Sequence, residues 1–123
     1  KLNNIPNGPF WVGIDGDGWC TITDDPDAAG TFTLSVDGEN RKFITASNGW
    51  LSYSTNLAQY ARVGIWSTLA NYQTWIQDGV LKFEGDVEDG FLSFFSDGGD
   101  GKLYDQAQGK TGYHVCEVEE VPA

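Results

Sequence analysis

Short apolar runs, each closed by a turn-forming pair, set the tightest limit on what this chain can fold into. Val80-Leu81-Lys82-Phe83 and Phe91-Leu92-Ser93-Phe94-Phe95 are bounded by Gly and Asp, and Lys102-Leu103-Tyr104 follows the turn Asp97-Gly98-Gly99-Asp100-Gly101. Aromatic runs of this length, separated by Asp-Gly turns, read as hairpin-connected strands. No long apolar stripe of helical period occurs anywhere in the 123 residues. The 16 Gly and 14% aromatic content agree with an all-β class.

Taken in order, residues 1–9 read as an N-terminal arm and 10–123 as a single β domain. Strands are expected at Phe10–Ile14, Trp19–Thr23 and Thr31–Val36, the last alternating so that Phe32, Leu34 and Val36 share a face. Further strands are expected at 42–46, 50–54, 62–66, 72–77 and 112–118. The acidic loop from Asp24 to Gly30 contains Pro26 and is irregular, and 56–61 is a looser link with weak helical potential. No helix is expected from the pattern.

One phrase recurs: Gly, aromatic, apolar, hydroxyl, apolar. It stands at Gly18-Trp19-Cys20-Thr21-Ile22, Gly49-Trp50-Leu51-Ser52-Tyr53 and Gly90-Phe91-Leu92-Ser93-Phe94. The aromatic returns after 31 and then 41 residues, and the shortfall lies in the first copy. Three hairpin-rich units, about 10–41, 42–79 and 80–123, are each too small to bury their own apolar face. That points to a β-trefoil; the alternative is an irregular Greek-key β-sandwich or barrel. In the trefoil reading Cys20, Leu51 and Leu92 are equivalent inward positions.

Charge narrows the function. With 7 basic and 18 acidic side chains the net charge is −11, which argues against nucleic acid, since phosphates need clustered Lys and Arg. It equally disfavours an anionic membrane surface. The chain has no Met, which reads as a trimmed terminus or a removed secretory signal. In a secreted chain the two cysteines, Cys20 and Cys116, are expected to form one disulfide.

The run Trp75-Ile76-Gln77-Asp78-Gly79-Val80-Leu81 resembles the W-x-I/V-x-x-G-x-L segment of secreted fungal cell-wall proteins, namely the phiA-type proteins and the C-terminal domain of Pir-type mannoproteins. Lys102-Leu103-Tyr104-Asp105-Gln106 resembles a following phrase, Cys116-Glu117-Val118 the cysteine after it, and Thr31–Gly38 an opening strand. Gly90-Phe91-Leu92 is similar to their G-F-L element. Where those families carry further cysteines, this chain has Ser93 and Phe94. The resemblance implies a secreted or wall-associated fungal protein with no catalytic residues to transfer.

Candidate chemistry lies mainly in the aromatics. Trp and Tyr offer flat apolar platforms for sugar faces, and Trp19, Trp50, Tyr53, Tyr60, Trp66 and Tyr72 are the expected binding residues. Gln73-Thr74-Trp75 is a single Q-x-W triplet of the kind seen in ricin-B-type lectins, where it is mostly a core element. The turn at Asp15 and Asp17 opens like a calcium loop, but Trp19 occupies a ligand position, so the acidic turns read first as Asx turns. Glu84, Asp86, Glu88 and Asp89 are dense enough for a carboxylate pair, yet nothing marks a buried acid. His114 reads as a packed or edge residue.

The expectation is therefore a non-catalytic, secreted, monomeric protein that binds wall polysaccharide and carries no cofactor. A secreted effector, elicitor or protease inhibitor that binds a host protein is the alternative. An acid glycoside hydrolase is the third.

Overall fold

A computed structural model of the chain describes residues 1–56, 60–68, 72–85 and 90–122. Among these residues there are eleven strands and one 3-10 turn at Pro26–Ala28, and no α-helix. The strands are β1 (Trp11–Ile14), β2 (Cys20–Thr23), β3 (Thr33–Val36), β4 (Lys42–Ala46), β5 (Gly49–Tyr53) and β6 (Val63–Trp66). They continue as β7 (Gln73–Gln77), β8 (Val80–Glu84), β9 (Gly90–Phe95), β10 (Leu103–Gln106) and β11 (Tyr113–Val115). All pairings are antiparallel, in three sheets not closed into a barrel: β1-β2, β3-β4-β5-β6, and β7-β8-β9-β10 with β11 also on β9.

Turn chemistry explains why the strands stop where they do. Ser47 and Asn48 between β4 and β5, and Asp78 and Gly79 between β7 and β8, all have positive φ. Two consecutive left-handed residues make the tight hairpin turn whose twist matches that of the strands. Five acidic turns are held by an aspartate accepting backbone N–H groups downstream. Asp15 accepts from Asp17 and Trp19, Asp25 from Asp27, Asp37 from Glu39 and Arg41, Asp97 from Gly99, and Asp100 from Lys102. These carboxylates are occupied as turn formers.

The hairpins share one register. Trp11 faces Thr23 and Ile14 faces Cys20; Trp50 faces Trp66 and Tyr53 faces Val63; Phe91 faces Gln106 and Phe94 faces Leu103. In this register Cys20 corresponds to Val63 and Leu103, all fully buried. It does not correspond to Leu51 and Leu92, as the recurring phrase suggests. The first copy of that phrase lies one strand late, and the true counterparts of Trp50 and Phe91 lead back to Trp11. The recurring phrase is a local string, whereas equivalence is decided by which strand pairs with which. The second strands of the three hairpins meet one another through single bridges, Trp19 with Gly64, Thr21 with Lys102 and Arg62 with Tyr104.

The core gathers Leu2, Ile5, Cys20, Ile44, Leu51, Tyr53, Val63, Leu81, Phe83, Leu92, Phe94, Leu103 and Cys116. Leu2 and Ile5 belong to the segment expected as an arm, so that arm is docked. Leu2 bridges Phe10 and Val118, and Asn4 exchanges hydrogen bonds with the carbonyl of Val115 and the N–H of Glu117. Strand β3 differs from expectation in which face it buries. Leu34 and Val36 are exposed, because β3 lies outside β4 and only Phe32 packs against the core.

The expected Cys20–Cys116 disulfide is absent: both cysteines are free and buried. Each fills core space as a small apolar side chain, Cys20 where the other hairpins place Val and Leu. Burial pushes both thiols up to about 12, which leaves them neutral and unreactive. An even cysteine count reports a bridge only when the two sulfurs meet in bonding geometry, and here they remain unbonded within one core.

Candidate functional site

Strands β5 and β6 present a row of indoles beside an open cleft. Trp50 and Trp66 are directly opposed across the two strands, so their side chains share a face. Trp66 meets Trp19 edge to face, with ring centroids 5.5 Å apart and planes at 87°. Trp19 reaches this place because the Asp15 turn carries the chain over Gly64, whose missing side chain leaves room for the indole. The Arg62 guanidinium lies 4.8 Å from the centroid of Trp19 and 3.8 Å from the Asp15 carboxylate. Arg62 is largely buried, and its contacts to Trp19 and Asp15 clamp the first hairpin onto β6.

Trp50 also forms one wall of the cleft, a shallow, solvent-open space of about 830 Å³. The floor and rim come from three places: Ile14 of β1, the loop 28–31, and the β3–β4–β5 corner with Thr33, Thr45, Ser47 and Asn48. Every lining side chain is uncharged. The hydroxyls of Thr31, Thr33, Thr45 and Ser47 and the Asn48 amide offer donors and acceptors, and the Trp50 ring offers an apolar plane. A volume of this size is typical of small-molecule sites.

Of the six expected binding aromatics, the structure brings Trp19, Trp50 and Trp66 together. Tyr53 is only 2% exposed and packs against Tyr72 at 4.6 Å and Phe83 at 5.7 Å. Tyr72 is half-buried and lies over the backbone of Gly85. Both are core packing and leave the candidate surface. Tyr60 is 69% exposed, with its carbonyl accepting from Gln106 Nε2, and is not among the contacts of the indole row.

At the turn that opens like a calcium loop, Asp15 holds the loop and Asp17 is exposed. Asp15 is committed to its own turn and to Arg62, and no cluster of three or more metal-ligating side chains occurs among the described residues. Of the proposed carboxylate set Glu84 is exposed, while Asp86, Glu88 and Asp89 lie outside the described residues. His114 is exposed on β11 with its ring 5.3 Å from Phe94.

A second aromatic cluster went unread in the sequence. Trp75 on β7 faces Lys82 on β8, and Lys82 faces Phe91 on β9. The ammonium groups of Lys42 and Lys82 each lie 5.8 Å from the Trp75 ring centroid, and Lys82 is equally far from Phe91. Trp75 Nε1 donates to Gln77 Oε1. The signal for this cluster is the Asp78-Gly79 turn: a two-residue loop places residue 75 opposite 82. Its neighbour Thr74 is the buried member of the Q-x-W triplet, where its Oγ1 accepts from the N–H of Ile44.

A third group lies around β10 and β11. Tyr104 donates to Asp100 at 2.7 Å and meets Tyr113 edge to face, and Tyr113 in turn contacts Phe95. Burial, and then the hydrogen bond to Asp100, hold the Tyr104 hydroxyl far above the usual phenol range.

No protein-family model, characterised protein or solved structure matches the chain.

Proposed function

We propose that the chain is a non-catalytic β-trefoil protein that binds a neutral polysaccharide through the cleft and the Trp50–Trp66–Trp19 row. The trefoil reading is supported by three hairpins of one register whose second strands meet pairwise through single bridges. The binding reading is carried by one observation: a half-buried indole row that continues directly into an open cleft lined only by hydroxyls, an amide and apolar groups. Sugar rings have one apolar face and an edge of hydroxyls, and this surface supplies a complement to each. The uncharged lining favours a glucan-like ligand over a charged one. A secreted, wall-associated fungal protein is the setting in which we place this activity. The unbonded thiols mean that setting no longer draws support from a disulfide.

Retention on insoluble β-glucan, compared with Trp50→Ala, tests the reading. Wild-type protein sediments with the polymer and the variant loses most of that retention. Failure to sediment with any neutral polysaccharide would sink the proposal.

The alternative, a secreted effector or inhibitor that binds a host protein, draws on Phe95 of the third aromatic group and on Tyr60. Both are exposed, and aromatic side chains are enriched at protein interfaces. Affinity capture on Tyr60→Ala and wild type separates it from the first reading.

A further inference from the structure

The surface of β7–β8–β9 stands in the same structural place as the cleft of β3–β4–β5. Thr45 faces Trp50 and Ala46 faces Gly49 across β4 and β5; Lys82 faces Phe91 and Phe83 faces Gly90 across β8 and β9. One strand further out, Thr33 faces Thr45 and Trp75 faces Lys82. The row Thr33–Thr45–Trp50 is thus repeated as Trp75–Lys82–Phe91. Position for position, a neutral hydroxyl pair has become an indole and an ammonium.

Lys42 adds a second ammonium over the same indole. Two like charges converge on one ring in a chain whose net charge is −11. Neither lysine is within ion-pair distance of a carboxylate among the described residues, whereas Arg41 and Arg62 are both paired. Cation–π contact holds the ammonium groups near the ring without neutralising them. Gln73 and Gln77 lie on the same face of β7 as Trp75, two residues to either side, and place amide groups along the row.

From this we infer a second saccharide site, at Trp75, Lys42, Lys82 and Phe91, that takes an acidic sugar with a carboxylate, as in a polyuronate chain. The inference rests on the polysaccharide reading and adds a ligand class to it. An indole and a phenyl ring supply the stacking plane, and two point charges supply the anion partner. A carboxylate-bearing sugar matches two ammonium groups. A polyuronate carries one charge per ring, which two ammonium groups can meet locally; a densely sulfated chain carries more, and the excess meets the acidic remainder of the protein.

The test uses the full chain on immobilised polygalacturonate, on its fully methyl-esterified form, and on neutral β-glucan, with Lys42→Gln/Lys82→Gln and Trp50→Ala as variants. Near-UV circular dichroism confirms that the lysine variant is folded. We expect polygalacturonate to be held at least about tenfold more tightly than the ester at low salt, since each surface ion pair gives about fivefold. The lysine variant removes that difference and leaves β-glucan retention unchanged, while Trp50→Ala does the reverse. Raising the salt to about 0.5 M weakens polygalacturonate retention only, through screening.

Equal retention of acid and ester, or an unaltered preference in the lysine variant, overturns the inference. Dextran sulfate bound more tightly than polygalacturonate also overturns it, in favour of a general polyanion patch. If β-glucan is retained and polygalacturonate is not, this inference fails alone and the first reading stands. If neither is retained, both fail.

Discussion

The faces built on β4–β5–β6 and on β8–β9–β10 use one backbone arrangement for two different surfaces. Both begin with a glycine at which neighbouring backbone closes in. A Cβ on Gly49 would sit 2.6 Å from the carbonyl oxygen of Trp66, and one on Gly90 would sit 2.9 Å from that of Gln106. Both continue with an aromatic, Trp50 or Phe91, then a buried leucine, Leu51 or Leu92. Beyond the strand pair they part: Trp66 lies opposite Trp50, whereas the buried Gln106 lies opposite Phe91 and bonds to the carbonyl of Tyr60. The inner positions are conserved in kind because the core volume they fill is common to both. The outer positions answer only to solvent and ligand, so there the two units are free to differ.

This contrast gives an order of expected effects. The largest belongs to the shared interior. Leu103→Ala is expected to cost about 2–5 kcal/mol by urea denaturation, and Cys20→Ala, at the corresponding position, clearly less. The Cys20 thiol bears on the same point. Its folded value of about 12 lies above its ordinary 9.0. Its contribution to stability is therefore complete below pH 9 and is lost as the pH rises toward 12. Thiol labelling at pH 8 should find neither cysteine in the native protein and both after denaturation. Labelling of the native protein would mean that the two thiols are not held in the core.

Next come the glycines. Gly49→Ala and Gly90→Ala should each destabilise by about 1–3 kcal/mol, because the added methyl meets backbone as well as side chain. A cost at only one of them would break the equivalence of the two faces. A smaller effect is expected on the surface: Trp66→Ala should weaken β-glucan retention by about tenfold and cost about 1 kcal/mol of stability through the lost edge-to-face pair with Trp19, with polygalacturonate retention intact. The smallest tests whether the faces are interchangeable. Thr45→Lys places an ammonium where Lys82 stands in the other unit, and it should improve polygalacturonate retention by about fivefold at low salt.

Much of the scaffold was legible because turn residues carry their own conformational instructions. Asp78-Gly79 and Ser47-Asn48 mark hairpins, and strands such as β4 start and end where turns and alternation place them. The first unit was misaligned because Gly18-Trp19-Cys20 imitates Gly49-Trp50-Leu51 as a string while belonging to the opposite strand of its hairpin. Tyr53 and Tyr72 looked like ligand platforms because an aromatic says nothing of which side of a sheet it will face. Trp75 was passed over for the converse reason: the Q-x-W triplet suggested core, but only Thr74 is buried. The Lys42 contribution was beyond local reading, since it depends on β4 lying against β7.

The bridges that join Trp19 to Gly64, Thr21 to Lys102 and Arg62 to Tyr104 have a consequence in time. Each links a different pair of units, so no unit can complete its own contacts while the others are unformed. Loops spanning whole units must close before these pairings repay the lost chain entropy. Folding should then proceed as one slow cooperative event, and a fragment holding two of the three units should remain largely unfolded until the third is supplied.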